Sequence, residues 1–331
     1  MMTTTFPMLL QHFFTHRLLG QLGASPHTVA AYRDTFRLLL QFAAQRLGRA
    51  PCRLRLEDLN VAFLEQFLDY LQRDRGNTAR TRNTRLAALR AFFRYVSFTE
   101  PSHALDCQRL LAIPSKRHER RPVAFLVDAE VRALVEAPER TRWIGRRDRT
   151  LLLLAAQTGL RNSEIRSLRR RDVQLGTGAH VRCTGKGRKT RCTPLRADVA
   201  EAMAAWMPEL ASPPDTPVFP SSRGGPLSED ALQRLVARHA AAARQACASL
   251  QGKEVTPHTL RHSAAMDLLR RGVDLTVIAL WMGHESTETT QVYLHADMDL
   301  KERALGHATT TGAPPDRFQA TDSLLAFLEG L

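Results

Sequence analysis

Tyrosine is scarce in this chain: four occur in 331 residues, and Tyr293 is the only one beyond Tyr95. A phenol needed anywhere in the C-terminal two thirds therefore has one candidate. The five cysteines, Cys52, Cys107, Cys183, Cys192 and Cys247, are odd in number and share no ligand spacing, which points to reduced thiols rather than a disulfide framework or thiolate metal site. Cys183 and Cys192 flank a predicted turn and are expected to face each other as small side chains across a hairpin. No apolar run reaches the roughly 18 residues that a membrane span requires. The opening MMTTTFPMLLQHFF has neither the positive start nor the small-residue cleavage site of a signal peptide, so a cytoplasmic protein with no membrane partner is expected. There is no G-x-x-x-x-G-K-[ST] phosphate loop and no H-E-x-x-H zinc pair, although His258 and His262 stand four apart. The expectation is no metal and no cofactor.

Basic residues are plentiful. Lys and Arg number 47 against 33 Asp and Glu, a net charge of +14, and residues 1–121 hold 19 basic against 9 acidic residues. An excess of this size, mostly arginine, implies a polyanionic partner, and nucleic acid fits better than a membrane surface. The length suggests two domains, each long enough to bury a core.

The first hundred residues read as helices. Ser25-Pro26 opens one, with Val29, Tyr32, Phe36, Leu39, Leu40 and Ala43 at helical spacing. A second covers Val61 to Leu71. A third, from Asn77 to Phe98, sets Leu86, Leu89, Phe92, Phe93 and Val96 among Arg80, Arg82, Arg85, Arg90 and Arg94 with no acidic residue at all. Those five arginines are expected to contact phosphates, positioning the protein without reading sequence. Residues 99–122, punctuated by Pro101, Pro114 and Pro122, look like the inter-domain connection.

The second half opens with helices predicted over Asp128 to Glu136 and Arg147 to Thr158. In TGLRNSE, Gly159 interrupts the second of these, and Arg161 emerges with Glu164 three residues on. Such an arginine is either neutralised internally by Glu164 or presents its two-pronged donor fork to a phosphate. From Asp172 to Leu195 the period changes to that of short strands, and the turn TGKGRKT carries Lys186 and Lys189 at its tip. Helices follow from Ala197 to Trp206 and from Glu229 to Ala248. The expected fold is mainly α with a small β-sheet: an N-terminal helical domain and a C-terminal mixed α+β domain.

The stretch from Thr256 to His295 gathers the remaining chemistry. His258 and Arg261, three apart on a helix, share a face and suit an anionic ligand. Asp274 to Trp281 continues as helix, Gly283 ends it, and His284 lies just beyond. Tyr293 follows nine residues later.

In this order, TGLRNSE, GKGRKTRCTPL, HTLRHS and MGHESTETTQVYLH resemble the four boxes of the tyrosine recombinase, or phage integrase, family, whose familiar members include phage integrases and Xer-type recombinases. The resemblance implies a site-specific DNA recombinase that joins Tyr293 covalently to a DNA 3′ phosphate. It implies that Arg161 and Arg261 grip the scissile phosphate and that His258 and His284 add hydrogen bonds, His258 also taking the tyrosine proton. Lys186 would protonate the departing 5′ oxygen, and Glu164 would orient its neighbours. Asn162 and Met282 depart from the residues commoner in the family, and Lys189 competes with Lys186 for the role of acid.

The chemistry asks for the same groups. A pentavalent phosphate gathers negative charge, which two arginines and a lysine offset without magnesium, and a phenol titrating near pH 10 needs a base and cationic neighbours to attack. A type IB topoisomerase and a catalytically silent accessory subunit remain as alternatives. The expected organisation is a core-binding domain at 1–105, a linker at 106–122, a catalytic domain at 123–300 and a tail at 301–331. The tail carries a short apolar helix that docks either on its own domain or on a neighbouring subunit. Expected partners are double-stranded DNA, further copies of this chain as a tetramer on paired sites, and a sister recombinase or accessory proteins, in a nucleoid-associated setting.

Overall fold

The computed structural model describes residues 5–118, 123–185, 189–283 and 290 of the chain, which divides into two compact units at residues 120 and 121. The first unit is helical. Helix α1 (Phe6–His12) continues in wider turns through Phe13–Gln21, and is followed by α2 (Pro26–Leu47), α3 (Val61–Arg73), α4 (Ala79–Thr99) and α5 (Ala104–Leu111). Ser25, Asn60 and Thr78 cap the starts of α2, α3 and α4 by accepting from the N–H groups of Thr28, Phe63 and Thr81, which relieves donors that a helix start leaves unpaired. Leu39 of α2, Phe67, Leu68 and Leu71 of α3 and Phe92 and Val96 of α4 are fully buried. Burial of each such side chain is worth about 1.5–3 kcal/mol.

One expectation for this unit is corrected. The linker does not begin at residue 106, because α5 packs on α4 and its Cys107 and Leu110, with Ile113 beyond it, join the core. The five arginines of α4, all expected to contact phosphates, differ in exposure. Arg82 is buried and donates through Nη1 to Pro114 O (3.3 Å) and Asn83 Oδ1 (3.4 Å), while Arg90 donates to Ile113 O and, at 3.3 Å, to Ser115 Oγ. Asn83 exchanges hydrogen bonds with the backbone of Lys116. These side chains strap residues 113–116 to α4. Arg80 and Arg94 are exposed, and Arg85 is half-buried.

The second unit contains α6 (Asp128–Glu136), α7 (Trp143–Thr158) and α8 (Asn162–Ser167), a sheet of β1 (Val173–Gln174), β2 (His180–Thr184) and β3 (Thr190–Pro194), then α9 (Ala197–Trp206), α10 (Glu229–Ala246), α11 (Pro257–Arg270) and α12 (Leu275–Met282). Helix α7 is central, packing on α6, α9 and α11. Its Leu151, Leu152 and Leu154 are completely buried, whereas Leu153 is only partly covered.

Helix α7 starts at Trp143, four residues before the expected Arg147, and so takes in the whole charged run Arg146-Arg147-Asp148-Arg149. The charges there are internal. Asp148 has no exposure, takes Arg147 Nε and Nη2 on one oxygen and meets His239 Nε2 (2.8 Å) and Arg238 Nη2 (2.6 Å) of α10 on the other. This network ties α7 to α10.

The sheet is antiparallel throughout, and in its β2–β3 ladder Cys183 pairs with Arg191 and Arg182 with Cys192. The two cysteines therefore do not face each other. The register is offset by one residue from the expected pairing, so Cys183 is buried and Cys192 exposed. Burial pushes the Cys183 thiol up to about 11.

Candidate active site

The C-terminal end of α12 is the focus of the second unit. Asp274 caps its start by accepting from Thr276 N at 2.7 Å, and Gly283 ends it in the left-handed conformation at φ 62°. Three arginines from three other elements converge on its last carbonyls. Arg191 Nε, on β3, donates to Trp281 O at 3.0 Å; Arg261 Nη2, on α11, to Met282 O at 2.6 Å; and Arg161 Nη2, which precedes α8, to Gly283 O at 2.7 Å. A helix leaves these carbonyls without partners and concentrates the negative end of its dipole there, so cations are stabilised on both counts.

Arg161 and Arg261 thus bond to consecutive residues, whose Cα atoms stand about 3.8 Å apart. Both guanidiniums are thereby held at the C-terminal end of α12. Arg261 is buried and also donates through Nη1 to Gly159 O at 2.6 Å, so it bridges the end of α7 to the end of α12. A Cβ at Gly159 would come within 2.7 Å of Met282 Cε and 3.1 Å of Ala264 Cβ, and the residue is left-handed at φ 62°.

Glu164 binds this cluster together. Its Oε1 accepts from Arg161 Nη1 (2.9 Å) and Arg191 Nη1 (2.8 Å), and its Oε2 from Arg161 N (2.7 Å) and Arg191 Nη2 (2.9 Å). Burial by itself would raise its pKa, but Arg191 first and then Arg161 hold it below the usual carboxylate range. Arg191 is shifted upward: burial opposes its charge, and the Glu164 carboxylate more than offsets that.

Of the alternatives open for Arg161, the pairing with Glu164 is present. Its side chain keeps 29% exposure, and two of a guanidinium's five N–H groups are engaged by Glu164 and Gly283.

His258 lies one turn before Arg261 on α11, close to the Thr256 cap, and is exposed. Its ring packs at 4.2 Å, edge to face, on that of His262. Lys189 is exposed, and its carbonyl accepts from Gly185 N at 2.9 Å, closing the hairpin. Lys186, His284, Tyr293 and the tail lie outside the described residues. Thr290, three residues before Tyr293 in the sequence, is fully buried.

A profile of the phage integrase family matches residues 124–299, and one of the phage integrase N-terminal SAM-like domain matches residues 12–97. The chain belongs to the phage integrase family. Among its relatives, the inferred integrase/recombinase y4rC of Sinorhizobium fredii is 49% identical over 98% of this chain and 97% of its own length. The tyrosine recombinase XerC of Pelotomaculum thermopropionicum is 33% identical over 82% of this chain and 89% of its own. The present chain also shares its fold with the XerH site-specific recombinase in a post-cleavage complex with its palindromic difH substrate. There the TM-score is 0.69 at 23% identity, covering 91% of this chain and 84% of that one.

Reasoning from the sequence missed Arg191 in this integrase. It stands inside the quoted box GKGRKTRCTPL, but with only Glu164 in view as a counter-charge, nothing in the pattern singled out a second arginine for the same carboxylate. Only the register that sets Arg191 opposite the buried Cys183 marks it. The period-2 alternation turns Arg191 toward α8 and α12, with its side chain 13% exposed.

Proposed function

We propose that this recombinase cuts and rejoins DNA through a covalent 3′-phosphotyrosine intermediate, exchanging strands between paired sites of a mobile element or chromosome. The observation that carries this reading is the placement of Arg161 and Arg261 on consecutive carbonyls at the end of α12. Two guanidiniums held at one helix end suit the two non-bridging oxygens of one phosphate. Helix α11 presents its N-terminus at His258, where a dipole favours an anion.

In this mechanism the Tyr293 oxygen attacks phosphorus as its proton passes to His258. The P–O5′ bond breaks, and Lys186 protonates the departing 5′ oxygen. Arg161, Arg261 and His284 stabilise the charge that grows on the phosphate, and Glu164 holds Arg161 in place. The tyrosyl ester keeps the energy of the broken bond, so religation is the reverse attack by a 5′ hydroxyl and needs neither ATP nor a metal.

Double-stranded DNA is the partner on this reading. The XerH complex with difH, the Tn1549 transposon integrase with transposon right-end DNA and the lambda integrase dimer on its core site support that choice. In the first unit, exposed Arg80 and Arg94 are the arginines of α4 suited to phosphate contact, and Lys189 can add one from the hairpin. Four chains on two paired sites, with the tail at 301–331 docking on a neighbour, would supply the coordinated cuts that strand exchange needs. A sister recombinase or accessory protein is compatible with the same arrangement.

The test is covalent capture. Incubated with fragmented bacterial genomic DNA and quenched in SDS, the wild-type protein is expected to retain DNA in an adduct that protease, but not boiling, removes. Tyr293→Phe is expected to give none, and absence of any adduct with the wild type would overturn the reading.

A further inference from the structure

Glu164 is one carboxylate shared by two guanidiniums, and the sharing is unequal. Arg191 meets it fork to fork, Nη1 to Oε1 at 2.8 Å and Nη2 to Oε2 at 2.9 Å. Arg161 reaches it with a single guanidinium nitrogen, Nη1 at 2.9 Å, and otherwise through its backbone N–H. The side chains of Glu164 and Arg191 are 1% and 13% exposed, against 29% for Arg161. One negative and two positive charges leave a net of one positive charge, and the least solvated, two-point pair is the one that neutralises itself.

We propose that Arg191 is a positioning residue for charge: by occupying both oxygens of Glu164 it prevents that carboxylate from neutralising Arg161, whose cation stays directed at the scissile phosphate. This rests on the phosphotyrosine reading. Removal of Arg191 would leave Glu164 with Arg161 as its counter-ion, a pair of zero net charge where a phosphate's growing charge needs a cation. Because β3 belongs to the same hairpin as Lys186, docking of β3 also sets how much charge Arg161 offers. The Arg191 Nε bond to Trp281 O fixes the guanidinium from its other edge.

The experiment uses the full-length protein and a nicked duplex built from a genomic junction to which the wild type becomes covalently joined. Single-turnover adduct formation by Arg191→Met is expected to be about 100-fold slower, comparable to losing one donor to a developing oxyanion, with DNA affinity within about threefold. Addition of Glu164→Gln to Arg191→Met is expected to recover about 10-fold or more, since a neutral amide cannot neutralise Arg161. A purely structural tether predicts the opposite, a double variant as slow as the single one or slower, and that result overturns the proposal. Should Arg191→Met lack a cooperative thermal transition, Arg191→Gln, which keeps a donor on the carboxylate without its charge, carries the same comparison. A wild type that forms no adduct removes the phosphotyrosine reading and this inference with it. A normal wild-type adduct with an unimpaired Arg191→Gln removes the inference alone.

Discussion

Gly185 lies against Glu164 so closely that a Cβ at position 185 would stand 2.9 Å from Glu164 Oε1, with Arg191 Nη1 at 3.2 Å and Arg161 Nη1 at 3.3 Å. The hairpin backbone therefore reaches the ion cluster through a residue without a side chain. Gly185→Ala is expected to push these ionic groups apart and slow covalent capture of DNA by about 10-fold, a loss of about 1.4 kcal/mol of transition-state stabilisation. Thermal unfolding should move little, because the displaced groups are the far ends of side chains. Wild-type capture rates in Gly185→Ala would count against a close approach of hairpin to cluster.

Gly283→Ala carries a different penalty. Position 283 is left-handed at φ 62°, and a Cβ there would meet Arg191 Nη1 at 2.8 Å. The backbone strain alone is about 1–2 kcal/mol, which for a unit of this size lowers Tm by about 2–8 °C. Differential scanning calorimetry checks it; a Tm equal to that of the wild type refutes it.

The arginines of α4 should separate into two kinds. Arg82→Met, at a position 5% exposed, is expected to destabilise the first unit by about 1–3 kcal/mol, since the replacement leaves Pro114 O without its donor. Arg80→Ala and Arg94→Ala are expected to leave unfolding unchanged. Each that contacts a phosphate should reduce the slope of log affinity against log salt by about 0.9. A salt slope that responds to neither exposed arginine would move the DNA contact off this helix.

Acid should weaken the second unit through three buried carboxylates. Asp148, Glu130 and Glu164 are all held below the ordinary carboxylate range: burial pushes each upward, and His239 and Arg147, Lys253 and Ser249, and Arg191 and Arg161 respectively outweigh it. Depressed folded pKa values give stabilisation that is fully present above the unfolded values, about 3.9 for Asp and 4.3 for Glu. That stabilisation is lost as pH falls through the still lower folded values. Urea titrations should therefore show these groups contributing nothing to the slope between pH 7 and about 5, and a steep loss below about 4. Asp148→Asn should cost about 3–5 kcal/mol at neutral pH by breaking a buried ion network, and should flatten the acid limb. An unaltered acid limb in that variant would remove Asp148 from the account.

Most of the helices, and many of their ends, were legible in the order of residues, because apolar period and capping residues are local properties. The helices predicted at 128–136 and 197–206 have those bounds in the structure, and Gly159 and Gly283 stop α7 and α12 where expected. The four boxes likewise marked Arg161, Glu164 and Arg261, which the fold brings together across about a hundred residues of chain. Where the buried charges go emerged from the packing of distant segments. A guanidinium on a long apolar stem reads alike in the sequence whether it faces solvent, as Arg94 does, straps a loop, as Arg82 and Arg90 do, or completes an ion cluster, as Arg191 does. The one-residue register that parts Cys183 from Cys192 and sets Arg191 opposite Cys183 was equally hidden, since it depends on hairpin geometry that the alternation of side chains leaves free.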